Sequence, residues 1–185
     1  MKIAITGHRP DAFIVSHYDS SQVIRIANDM VCTFKREFGD DLTFNLGGAI
    51  GVDQWVGMAC IEHRVRFKMF LPFLPEVQGR YWSREQKDEL DRQLMVAAGI
   101  DITDLSGQYI PQMYQIRNKK MIDAADFLVA FWVGKRRGGT YNAIKYALKQ
   151  SKFVYNAMNE RKLIVEADLK KGWTPPTMKG DSHGS

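Results

Sequence analysis

Apolar positions along this chain fall into two alternating patterns. Short apolar runs are separated by longer stretches in which apolar residues recur every three or four positions. Lys2 to Thr6 is a short run that stops at Gly7, and it reads as a first strand. From Ser20 to Phe38, Val23, Ile24, Ala27, Met30, Val31 and Phe34 recur with helical spacing. Asp19 and Ser20 offer N-cap side chains for that helix, and Gly39 a stop. The alternation continues with a strand over Leu42 to Leu46, a helix over Val52 to Val65 and a strand over Arg66 to Leu71 that ends at Pro72. A helix over Ser83 to Ala98 follows, with Ser83 as its cap and Glu85 and Gln86 in its first turn. A short strand over Ile100 to Thr103, a helix over Ile110 to Ala125 and a strand over Phe127 to Val133 come next. The pattern ends with a helix over Thr140 to Lys149 and a strand over Lys152 to Tyr155.

Strands alternating with helices predict an α/β domain, a Rossmann-like three-layer sandwich with a mostly parallel sheet. The near-continuous apolar run Phe127 to Val133 suits a strand covered on both faces. No internal repeat or interior linker interrupts the pattern. One domain is expected over residues 1–156, with a C-terminal extension over 157–185. From Gly172 onward that extension is rich in Pro, Gly and Ser, and it is expected to be loose.

Of the 185 residues, 45% are hydrophobic and 25% charged, which excludes a disordered chain over most of the length. No run approaches the ~18 apolar residues of a membrane span, so no membrane partner is expected. The N-terminal run is too short for a signal-peptide core. Cys32 and Cys60 both fall in predicted helices and give neither a disulfide framework nor a metal-ligand spacing. A cytoplasmic protein with no metal and no resident cofactor is the expectation. The net charge of +5 favours anionic partners. It is spread over Lys119-Lys120, Lys135-Arg136-Arg137 and Lys170-Lys171 rather than gathered in one stripe.

Parallel sheets bind ligands beyond the carboxyl ends of their strands, so the loops after the strands carry the candidate chemistry. The first is Thr6-Gly7-His8-Arg9, a tight turn with hydrogen-bond donors. The second, Gly47-Gly48-Ala49-Ile50-Gly51-Val52-Asp53, leads into a helix and allows close approach to backbone N–H groups. The third, Lys135 to Thr140, opens another helix through Gly138, Gly139 and Thr140, where amides, dipole and hydroxyl favour an anion. Neither G-x-x-x-x-G-K-[ST] nor G-x-G-x-x-G is present. A P-loop NTPase and a dinucleotide-dependent dehydrogenase are therefore disfavoured.

Taken together, ITGHRP, LGGAIGVDQWVG, RNKKMIDAADFLVAFW and GGTYNAIKYA resemble the SLOG superfamily, most closely its YpsA-like branch. DNA-processing protein A and the LOG-type nucleotide phosphoribohydrolases are other branches. The resemblance covers roughly residues 1–156 and implies a Rossmann-like fold that binds nucleotides or nucleotide-derived ligands. It also implies self-association as a homodimer or higher homo-oligomer. LOG enzymes carry R-K-x-x-M before the penultimate strand; Arg117 and Met121 match it, with Asn118 in place of Lys. Gly138, Gly139 and Thr140 match an abbreviated phosphate loop, while the family glutamates fall on Asn142 and Ala143. Asn142 can hydrogen-bond a ribose but cannot stabilise an oxocarbenium-like state by charge.

Several residues keep two readings. Asp53 is a helix-dipole partner, or a ribose ligand and the carboxylate of an N-glycosidase. Arg117 is a surface ion pair or a phosphate clamp. His8 is a plain loop donor or a ligand contact, and Arg9 is the stronger contact of the two. Trp55, Tyr81 and Trp82 are core or a base platform. Lys135, Arg136 and Arg137 are a solvated loop or a lid over a phosphate. Trp132, Met58, Cys32 and Cys60 are core. The first functional reading is binding or sensing of a nucleotide-derived small molecule. The second is cleavage of a nucleotide's N-glycosidic bond through Asp53. Single-stranded DNA binding comes third and nucleic acid is disfavoured, because no basic stripe with interleaved aromatics is present.

Overall fold

Period-two alternation sorts the strand side chains into two hydrophobic cores. In β1 (Lys2–Gly7), Ile3 and Ile5 enter one core and Ala4 the other. In β5 (Phe127–Phe131), Val129 and Phe131 face the first core, Leu128 and Ala130 the second. The remaining strands are β2 (Thr43–Leu46), β3 (Arg66–Leu71), β4 (Ile100–Ile102), β6 (Val154–Asn156) and β7 (Lys162–Leu163). These elements come from a computed structural model, which describes residues 1–16, 18–160 and 162–171.

The strands form one seven-stranded sheet in the order β4-β3-β2-β1-β5-β6-β7. Every pairing is parallel except β6 with β7. The register sets Ala4 opposite both Asn45 and Leu128. The helices are α1 (Pro10–Ile14), α2 (Ser20–Phe38), α3 (Val52–Glu62), α4 (Pro75–Gln78), α5 (Arg84–Val96), α6 (Met113–Asp123), α7 (Gly139–Lys149) and α8 (Glu166–Lys171). α2, α3 and α5 bury Val23, Val56 and Leu90 in the first core. α6 and α7 bury Met121, Ile122, Ile144 and Ala147 in the second. The result is the three-layer Rossmann-like sandwich that the alternation predicts.

From β1 the chain steps outward through β2 and β3 to β4 at one edge, then returns across α6 to β5 on the other side of β1. The loops leaving β1 and β5 therefore diverge onto opposite faces of the sheet. That divergence opens a crevice at their carboxyl ends.

The capping signals read from the sequence hold. The Asp19 side chain accepts from the Gln22 amide, and Ser83 does the same for Gln86; each forms a capping box. The sequence reading has no counterpart for α1, α4, β7 or α8. These elements are two to six residues long, too short for periodicity to register. The helix expected from Ile110 begins at Met113. Beyond Tyr155 the sheet gains the antiparallel β7, and Ile164 and Leu169 join the second core. The loose tail expected from Gly172 lies outside the described residues.

Candidate functional site

At the carboxyl ends of the strands the chain walls a cleft of about 720 Å³. Thr6, Gly7, His8 and Arg9 reach it from the end of β1, and Asp53 from the first turn of α3. Arg117 reaches it from α6, and Gly138, Gly139 and Thr140 from the start of α7. All three glycine loops, the second through Ala49, Ile50 and Asp53, thus converge with the Arg117 helix on one cleft.

Arg117 is 5% exposed. Its Nη1 lies 3.8 Å from Asp53 Oδ2 and donates to the Phe70 carbonyl at 3.4 Å. The Ala49 amide donates to Asp53 Oδ2 at 3.2 Å. Gly47 is what makes room for this arrangement: a Cβ there would lie 1.3 Å from Arg117 Nη1. Burial pushes the Asp53 carboxyl up from its ordinary range, and Arg117 and the Ala49 amide counter part of that rise. Burial likewise pushes the Arg117 guanidinium down, against the pull of Asp53. Arg117 is therefore neither a surface ion pair nor a free clamp. It braces the glycine loop from within the cleft wall, and its Nε has no hydrogen-bond partner.

His8 is 8% exposed, and its Nε2 also has no partner. The ring stands edge-on to Phe13, with centroids 5.9 Å apart. Burial, reinforced by the Lys135 charge, lowers its pKa from 6.5 to about 4. The imidazole is neutral at pH 7, and a neutral ring keeps one nitrogen as acceptor and one as donor.

On the far wall, α7 follows Gly138 with no side-chain cap on its first amides. Gly138 supplies the positive φ of 92° that turns the chain into the helix. Just before it, the basic triplet splits. Lys135 and Arg137 line the cleft, while Arg136 donates to the Lys170 carbonyl on α8 at 2.6 Å. Trp132 is fully buried, and its indole Nε1 donates to the Lys135 carbonyl at 2.9 Å. Asn156 holds the Trp132 backbone on both sides, accepting from its amide and donating to its carbonyl. A buried aromatic thus fixes the base of an exposed cationic loop.

Four expected ligand residues are not brought to the cleft lining. Gly47 sits behind Arg117. Gly48 backs onto Leu71, Leu90 and Met69, and Gly51 caps α3 against Pro10. Asn142 points outward from α7 and is exposed, and its neighbour Ala143 is buried in the core. Trp55 packs against Phe13, Trp82 borders the first core, and Tyr81 lies exposed outside the cleft lining. Met58 is exposed rather than core, while Cys60 is buried and Cys32 is partly buried. The sequence reading missed Tyr109 and Tyr114, which line the cleft from the loop after β4 and the first turn of α6. A Tyr-x-x-x-x-Tyr spacing carries no motif, and only the return of α6 toward β1 brings the pair to the site. Among the described residues no group of three His, Cys, Asp or Glu side chains is placed to hold a metal, and no helix is long and apolar enough to cross a membrane.

No family model matches the chain. It is 31% identical over 119 residues to an uncharacterised SPbeta prophage-derived protein, YoqJ, of Bacillus subtilis strain 168, covering 57% of this chain and 69% of that one. It is 22% identical over 154 residues to a UPF0398 protein of Bacillus thuringiensis strain Al Hakam, covering 80% and 83%. Among solved structures, DNA processing protein A of Streptococcus pneumoniae superposes with a TM-score of 0.64 at 15% identity, over 84% of this chain and 49% of that one. DNA processing protein A of Helicobacter pylori, described for its single-stranded DNA binding mode, gives 0.58 at 18% identity, over 84% and 64%. The structural-genomics target TM1055 gives 0.53 at 19% identity, over 83% and 71%. The chain spans about half of the Streptococcus protein and less than two thirds of the Helicobacter one.

Proposed function

This chain belongs to the SLOG superfamily, in its YpsA-like branch, and from that premise we propose that it binds a nucleotide-derived, phosphate-bearing small molecule in the cleft between β1 and β5. The carrying observation is the wall at α7. Uncapped amides, Thr140, Lys135 and Arg137 meet there on one side of the cleft. Helix N-termini flanked by cations favour phosphate. Across from them, His8 and Arg117 are each more than nine-tenths buried and carry a nitrogen that the protein itself does not satisfy. Buried polar groups without partners are rare, and they concentrate at sites of function.

Binding without cleavage is the reading favoured here. Asn142 stands outside the cleft, so the LOG-type glutamate has no counterpart at that position. Asp53 remains as a cleft carboxylate, but Arg117 and the Ala49 amide already engage one of its oxygens. Calorimetry with adenosine, AMP and ADP, followed by chromatography of the mixtures, tests this. AMP or ADP should bind at least about tenfold more tightly than adenosine, the equivalent of roughly 1.4 kcal/mol for charge-assisted contacts. Both should be recovered intact. Release of free base, abolished by Asp53→Asn, would replace binding with N-glycosidase activity. Tight, salt-dependent binding of an oligothymidylate with no binding of ADP would replace it with single-stranded DNA binding.

A further inference from the structure

We propose that Tyr109 and Tyr114 form the base end of this cleft, stacking the planar ring of a nucleotide whose phosphates lie at the start of α7. The inference rests on the nucleotide-binding reading and adds a direction to it. Three aromatic rings cluster where the chain leaves β3 and β4. Phe73 is 1% exposed and anchors them. Tyr114 stands edge-on to Phe73 at 5.4 Å between centroids, and Tyr109 lies tilted over it at 5.3 Å. Tyr109 and Tyr114 meet at 6.2 Å. Tyr109 is nevertheless 58% exposed and lines the cleft. An exposed ring held by two others is a platform whose ordering cost is already met before a ligand arrives. Every nucleobase offers such a platform a π face.

The position of the cluster sets the direction. Phe73 follows β3, two strands from β1 on the β2 side, whereas α7 follows β5 on the opposite side. Lys135 and Arg137 gather at the α7 side. The cleft therefore runs from an aromatic end, where Arg9 and Arg117 also lie close enough to act on Tyr114, to an end lined by Lys135 and Arg137, with His8 and Asp53 in the wall as well. That polarity suits a ligand with a ring at one end and phosphate at the other.

ADP and inorganic pyrophosphate separate the ends, because pyrophosphate has the charge without the ring. Calorimetry is run on the wild type, Tyr109→Ala, Tyr109→Phe and Arg137→Ala, with thermal melts to confirm folding. Tyr109→Ala should weaken ADP by roughly 5- to 150-fold, the range of a lost base stack, and leave pyrophosphate within about twofold of wild type. Tyr109→Phe keeps the ring and should hold ADP within about threefold. Arg137→Ala should weaken both ligands. Unchanged ADP affinity in Tyr109→Ala, beside clear ADP binding by the wild type, overturns the base subsite and leaves the binding reading standing. An equal loss of ADP and pyrophosphate in Tyr109→Ala also overturns it, since the loop would then act on the phosphate end. A Tyr109→Phe variant as weak as Tyr109→Ala points to the hydroxyl and overturns stacking. A wild type that binds neither ligand overturns the subsite and the nucleotide reading together.

Discussion

Gly47 and Arg117 divide one small space between them. The guanidinium fills the volume a Cβ at position 47 would need, and from there it reaches Asp53 and the Phe70 carbonyl. Gly47→Ala must displace Arg117 and strand Asp53 in the cleft wall. Removing one partner of a buried ion pair typically costs about 3–5 kcal/mol, and a loss of that order is expected in urea unfolding. With Arg117→Ala already in place the guanidinium clash is gone and only the approach to Asp53 Oδ2, at 2.8 Å from a Cβ, remains, so adding Gly47→Ala should cost clearly less than in the wild type. The double-mutant cycle should therefore show a coupling of at least about 1 kcal/mol, as directly contacting residues do. Equal costs of Gly47→Ala in both backgrounds would mean that close approach to Arg117 is not why position 47 is glycine.

At the scale of elements, the cationic loop before α7 depends on a strand that is buried from Leu128 onward. Trp132 follows β5 directly, and its indole N–H holds the Lys135 carbonyl. Trp132→Phe keeps most of the packing and removes that bond. A modest loss is expected, about 1–3 kcal/mol for the orphaned carbonyl and the smaller ring. Pyrophosphate affinity, measured by calorimetry, should fall several-fold as the loop loosens. Unchanged affinity would show that Gly138 and α7 alone hold the loop in place. The β1, β2 and β5 loops were legible in the sequence because each follows an apolar strand and contains glycine, and the strand alternation supplied the fold that gathers them. The separate duties within those loops were not legible. That Gly47 and Gly48 pack while Gly138 turns a helix depends on which side chains arrive from α6 and α5. The splitting of Lys135, Arg136 and Arg137 depends on α8, a six-residue helix without a periodic signature. Tyr109 and Tyr114 reach the cleft only because α6 crosses back over the sheet.

For the whole molecule, the buried cleft wall makes stability depend on pH in a direction that can be derived. Burial and Lys135 hold the His8 pKa at about 4, against 6.5 for an ordinary histidine. Between those values the unfolded chain carries a proton on His8 that the folded chain refuses. Folding stability then rises with pH through the window and is fully present above about pH 6.5, with a total swing on the order of 3 kcal/mol. Asp53 acts with the opposite sign. Its pKa is raised in the folded protein, so the folded chain binds its proton more readily and stability from this group falls as pH climbs above the ordinary carboxyl range. The two slopes overlap in mild acid, so the wild-type curve alone cannot isolate His8. The difference between wild type and His8→Gln can, because Asp53 and the exposed carboxylates contribute to both. Urea unfolding from pH 4.5 to 7.5 should give a difference that is flat above about pH 6.5 and moves against the wild type as pH falls. A flat difference down to pH 4.5 would mean that His8 accepts a proton in the folded cleft as readily as in the unfolded chain. A phosphate bound beside His8 should reverse that refusal, since a nearby anion favours the imidazolium. Pyrophosphate should therefore bind more tightly at pH 5.5 than at pH 7.5 to the wild type, beyond any such change in His8→Gln. Equal pH dependence in the two proteins would place the bound anion out of reach of His8.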